Sequence, residues 1–145
     1  MFQTLKKRIK NEKGLTLIEL LAVIVILAIV AAIAVPAIGN IIAKSQDRAI
    51  LAEASNILSG AKIAHTDGVC EDTSGTVTCD ADDLKGFVDG IDLTGVSVSY
   101  DNTDWSITYA KLTEIKLTDY QVGSPATETA INTALKNAGG SVTTP

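Results

Sequence analysis

Glu19 is the one charged side chain between Leu15 and Ala43, and it stands at the edge of an unbroken apolar run. A carboxylate in that setting is costly unless it has a partner or a task. The other residues able to do chemistry lie far along the chain. Cys70 and Cys79 are the only cysteines, and His65 is the only histidine. Two cysteines close in sequence on an exported domain are expected to form a disulfide. A metal centre with His65, Asp80, Asp82 and Asp83 is the alternative. Two thiols and one histidine here follow no zinc spacing. The acids do not follow the pattern of an EF-hand. There is no phosphate loop, zincin helix, nucleophile elbow or dinucleotide fingerprint. Enzyme chemistry is therefore the least supported class, and no cofactor is expected. Paired acids such as Asp82 and Asp83 read as a solvated surface.

The elements that must hold these residues follow from charge and hydropathy. The chain has 145 residues and a net charge of −5, the size of one modest domain. Residues 1–14 carry Lys6, Lys7, Arg8, Lys10 and Lys13 against Glu12. From Asp67 to the end there are 13 acids and four lysines. Between these extremes, Leu20 to Ile38 is 19 residues without a charge. At about 1.5 Å per residue, such a helix crosses most of a bilayer core of about 30 Å. It has no polar face, which a core helix of a small soluble protein would show. A cleaved secretory signal and a permanent anchor remain. Ala32-Ile33-Ala34 would suit a signal cut, but Val35-Pro36 follows at once and makes a poor context. The basic flank should stay in the cytoplasm and the acidic half should face outward.

Lys13-Gly14-Leu15-Thr16-Leu17-Ile18-Glu19, followed by an apolar helix that contains Pro36, resembles type IV pilins and pseudopilins. The resemblance covers roughly residues 7–65 and weakens beyond about Ser45. It implies that a prepilin peptidase cuts after Gly14, removing residues 1–14, and methylates the new amine of Leu15. Leu15 departs from the family's usual phenylalanine. Glu19 then becomes the fifth mature residue, one helical turn from that amine. Each charge is costly alone in apolar surroundings and each can neutralise the other. The resemblance implies that the pairing runs between neighbouring subunits and sets their register. Pro36 and Gly39 are poor helix formers and mark a kink. The resemblance adds that this point melts or stretches as subunits pack.

Residues 15–43 are expected to form the membrane-spanning and filament-core helix, and 44–66 its amphipathic continuation. Ile50, Ala54, Ile57, Ala61 and Ala64 recur at helical spacing and should face a domain. That domain, residues 67–145, reads as an extracellular head. Val96–Tyr100 and Trp105–Tyr109 alternate around Asp101–Asp104, which predicts a hairpin. Glu114–Val122 is a candidate third strand. Tyr100, Trp105 and Tyr109 are read as packing on the long helix rather than as a base-stacking platform, because the acidic surroundings repel phosphate. No direct nucleic-acid binding is expected. Ser124-Pro125 suits a helix start, with Ala130, Ile131, Ala134, Leu135 and Ala138 on one side and Gly139-Gly140 as the stop.

The fold class expected is α+β: a long N-terminal helix on a small antiparallel sheet, with a short C-terminal helix. The resemblance implies a pilus subunit that waits in the membrane with its head outside and then joins an extracellular homopolymer. Its further partners would be the prepilin peptidase and a membrane assembly platform with its ATPase. A pseudopilin of a competence or type II secretion machine is one alternative. A surface domain on a plain anchor, with no polymer, is the other.

Overall fold

In the computed structural model, the described residues are 16–139. The first helix, α1, is assigned to Phe2–Thr66, of which Thr16–Thr66 is described. The chain divides into two compact units, residues 1–41 and 42–145, and the architecture is α+β.

In the first unit α1 is the whole of the described structure. Its apolar side chains find no protein to bury them. Leu20, Ile24, Leu27 and Ile33 are all more than half exposed. A continuous apolar surface of this extent marks a place that meets lipid or protein. Among the described residues α1 is the one helix long and apolar enough to cross a membrane. The helix runs through Pro36 and Gly39 without interruption.

In the second unit α1 changes character. Leu51, Ala54, Ile57, Leu58, Ala61 and Ala64 are buried. Relative to the expected stripe, Ile50 is only half-buried and Leu51 and Leu58 form its centre. Each large side chain buried here contributes about 1.5–3 kcal/mol. These residues pack on a five-stranded antiparallel meander in the order β1-β2-β3-β4-β5. The strands are β1 (Glu71–Thr73), β2 (Thr76–Asp80), β3 (Ser97–Tyr100), β4 (Trp105–Thr108) and β5 (Ala126–Thr127). Inward positions alternate along them: Val77 and Cys79, Val98, Ile107 and Ala126 are buried. A short helix α2 (Ala81–Leu84) follows β2, and α3 (Glu128–Asn137) closes the domain.

The hairpin expected around Asp101–Asp104 is present, with Tyr100 opposite Trp105. A second hairpin, β1–β2, occupies the loop between the cysteines. Its turn puts Ser74 at φ 57° and Gly75 at φ 90°, the left-handed pair that matches strand twist in a tight hairpin.

Two expectations are corrected. Glu114–Val122 forms no strand. The segment makes 3₁₀ turns at Ala110–Glu114 and Thr118–Tyr120. It buries Leu112, Ile115 and Tyr120, which is not the alternation a strand needs. The last helix does not start at Ser124-Pro125, a cis peptide. Ala126–Thr127 first pairs with β4, and Thr127 then caps α3 by accepting from Ala130 N at 3.2 Å. Ile131, Ala134, Leu135 and Ala138 are buried as expected, whereas Ala130 is half-buried.

Gly60 decides how closely the 84–88 segment lies on α1. A Cβ there would fall 2.4 Å from Val88 Cγ2 and 3.2 Å from Phe87 O. Around Gly39 there is open space. Gly60→Ala is therefore expected to destabilise the head, since overpacking costs about 1–3 kcal/mol and outweighs the helical gain of about 1 kcal/mol. Val88→Ala in the same chain should restore part of the loss. Gly39→Ala should leave head unfolding unchanged. Thermal melting of the variants tests this, and an unshifted midpoint for Gly60→Ala would sink the close-packing account.

Candidate functional site

The residues singled out in sequence fall in both units. Gly14 and Leu15 lie outside the described residues. Glu19 is exposed on α1 in the first unit, with Leu17, Ile18, Leu20 and Leu21 exposed around it. This surface is a helical rod whose apolar side chains are all available to lipid or to other helices.

The second unit also holds a buried carboxylate. Asp47 is 1% exposed. Its Oδ1 accepts from Lys116 N at 3.1 Å, and its Oδ2 from Lys116 N at 3.2 Å and Leu117 N at 2.8 Å. A buried charge is tolerable when hydrogen bonds replace its water. Here those bonds come from amides that a strand at 114–122 would have needed for its ladder. The segment that satisfies Asp47 lies outside the sheet.

One turn and a half further along α1, Glu53 Oε2 accepts from the Tyr109 hydroxyl and, at 3.0 Å, from Lys111 Nζ. The Tyr109 hydrogen bond, helped by Lys111, holds the Glu53 carboxyl below its ordinary value. Tyr109 is pushed up to about 12, first by desolvation and then by its bond to Glu53. Lys111 is raised, chiefly by its hydrogen bond to Glu53. Lys62 Nζ meets Glu128 Oε1 at 2.6 Å and ties α1 to α3 in the same manner. These contacts bind the amphipathic half of α1 to the head.

The cysteines, histidine and acids have structural surroundings. Cys70 and Cys79 form a disulfide, and both sulfurs lie within 3.9 Å of the Ala61 carbonyl oxygen. The bridge thereby closes the β1–β2 hairpin against α1. His65 meets the Trp105 ring edge-on at 5.9 Å, and Tyr100 stacks on Trp105 at 4.9 Å. Tyr109 is buried on the core side instead of extending this stack. The three aromatics therefore form no open platform.

Among the described residues no group of three His, Cys, Asp or Glu side chains is placed to hold a metal ion. Asp83 accepts from Asp80 N at 3.0 Å, and Asp92 Oδ1 accepts from Thr94 N and Oγ1. Asp82 pairs with Lys85. The carboxylates flanking β2 and preceding β3 thus serve turns and local pairs. That pairing with Lys85 also lowers the Asp82 pKa.

Residues 9–35 match a family model, the prokaryotic N-terminal methylation motif. This motif is the class III signal peptide of type IV pilins and pseudopilins. No curated protein and no solved structure matches the chain.

Removing the Asp47 charge should loosen the 111–120 segment. Asp47→Asn is expected to cost about 1–3 kcal/mol and to accelerate hydrogen exchange at the amides of Lys116 and Leu117. Unchanged exchange at those two amides would refute the assignment. The Glu53 contacts set a pH dependence at each end. A lowered carboxyl contributes stability above its unfolded pKa and loses it as pH falls through the folded one. Tyr109, raised from 10.0 to about 12, contributes fully below its unfolded value and loses its share as pH rises through the folded one. Glu53→Gln should flatten the acid arm of the stability curve, and Tyr109→Phe the alkaline arm. Chemical denaturation across pH measures both.

Proposed function

We propose that this chain, which carries the class III signal of type IV pilins and pseudopilins, is the precursor of a structural subunit of a pilus-like extracellular filament. The observation that carries the reading is the coincidence of two features. The methylation motif spans residues 9–35, and the described part of that span is an apolar helix with nothing of its own to bury it.

In this reading residues 1–14 are the leader, cut after Gly14 by the prepilin peptidase, which also methylates Leu15. Methylation keeps the positive charge of the amine. Residues 15–43 span the membrane first and line the filament core afterwards. Residues 44–66 hold the head, and 67–145 form most of it outside the cell. Glu19 of an incoming subunit meets the amine of its neighbour, so that two charges costly in apolar surroundings neutralise one another. Pro36 lacks the amide needed for a helical hydrogen bond, and with Gly39 it gives α1 a place to stretch during packing. The partners are copies of the chain, the peptidase, and the assembly platform with its ATPase. The same motif supports a pseudopilin of a competence or type II secretion machine, which uses the same subunit design in a shorter fibre.

Mass spectrometry of the protein from its own cells should find a chain that begins at methylated Leu15. A chain beginning at Met1 would make it a plain anchored protein, and one beginning near Val35 a secreted one. Glu19→Ala should leave export and cleavage intact and reduce filament yield at least tenfold by electron microscopy of sheared material. Normal filaments from that variant would defeat the role given to Glu19.

A further inference from the structure

The charge of the second unit is polarised. Lys44 is the first charged side chain after the apolar run, and Arg48 follows one turn later on the same face. Both are exposed. Asp47 lies between them in sequence, but its carboxylate is buried and satisfied by backbone amides. Because Asp47 holds the Lys116 amide, the exposed Lys116 side chain leaves the backbone beside it. In the segments 42–53 and 110–117, four cations face two carboxylates that are not buried. These are Glu53, already bonded to Lys111, and Glu114. The rest of residues 42–145 holds twelve carboxylates and three lysines.

We propose that Lys44, Arg48 and Lys116 form a cationic foot that seats the head on the phosphates of anionic phospholipids before assembly. The proposal rests on the reading of the apolar half of α1 as a membrane anchor. Lys44 directly follows the uncharged run, so its long side chain ends at headgroup depth, where such cations come to rest. Each cation near an anionic surface is worth about 1 kcal/mol, or about fivefold in occupancy. The same surface repels the other, acidic part of the head. Attraction at the foot and repulsion elsewhere act together to select one orientation. Because Asp47 is bonded to the backbone amides of Lys116 and Leu117, it forms no ion pair with Lys44 or Arg48, and both side chains are left to extend from the helix. A second copy of the chain is the less favoured partner, since its own head is acidic mainly in segments remote in sequence from the apolar run.

The test uses the full mature chain, isotope-labelled at Lys and Arg, in phosphatidylcholine vesicles with and without phosphatidylglycerol. Solid-state NMR dephasing by lipid ³¹P should be strong at the Lys44 and Arg48 side-chain nitrogens when phosphatidylglycerol is present. It should be weak at Lys85 and Lys136, and it should fall at high salt. Lys44→Gln with Arg48→Gln should abolish orientation of the head relative to the membrane normal without altering its melting. Dephasing at Lys44 and Arg48 no greater than at Lys85, or contacts of these two residues with carboxylates of another copy in place of phosphate, would overturn the proposal. Hydrogen exchange of residues 20–38 in the same vesicles separates the two levels. Fast exchange there means that the anchor reading has failed; protection without phosphate contact means that the foot alone has failed.

Discussion

The head depends on the stripe that α1 presents between Asp47 and Ala64. A five-stranded meander of strands two to five residues long cannot close a core alone. It needs one apolar partner, and α1 supplies it. Leu51, Ile57 and Leu58 fill the space, and Ala54, Ala61 and Ala64 let the sheet come close. Gly60 extends that economy of volume to the 84–88 segment. The disulfide, Trp105, Tyr109 with Lys111, the backbone at Lys116 and Leu117, and Glu128 of α3 are each held to this helix by a residue of the stripe or at its border.

Three polar contacts complete the arrangement. Asp47 grips the backbone at Lys116 and Leu117, Glu53 takes Tyr109 and Lys111, and Lys62 takes Glu128. They occur at successive levels of α1 and reach three separate parts of the second half of the domain. Near its end the helix meets the disulfide at Ala61 and the aromatic pair at His65. α1 is therefore the axis on which the head is assembled as well as its longest element.

The two units of the chain use one secondary structure under opposite demands. Residues 16–42 of α1 expose their apolar side chains, whereas from Leu51 onward the helix buries them along one face. The first surface is compatible with lipid or with identical helices, since neither requires a polar side. The second cannot be exchanged in that way, because its burial and hydrogen bonds are already complete within the head.

Local pattern determined much of this from sequence alone. The basic flank, the glycine before Leu15, Glu19 and the apolar run are contiguous in sequence, so the motif they form is recognisable without a fold. The β3–β4 hairpin and the buried side of α3 were legible for the same reason, as alternation and helical spacing are local. Tertiary structure decided the rest. Asp47 looks like any solvated acid on a helix until the amides of Lys116 and Leu117, 69 and 70 residues away, close on it. The 114–122 segment that supplies those amides is irregular and not a strand. The hairpin between the cysteines was hidden because its strands carry few apolar residues and depend on pairing with β3. The start of α3 moved to Thr127 because Ala126 and Thr127 first complete a ladder with β4. In each case the deciding partner is distant along the chain, and spacing within a segment carries no record of it.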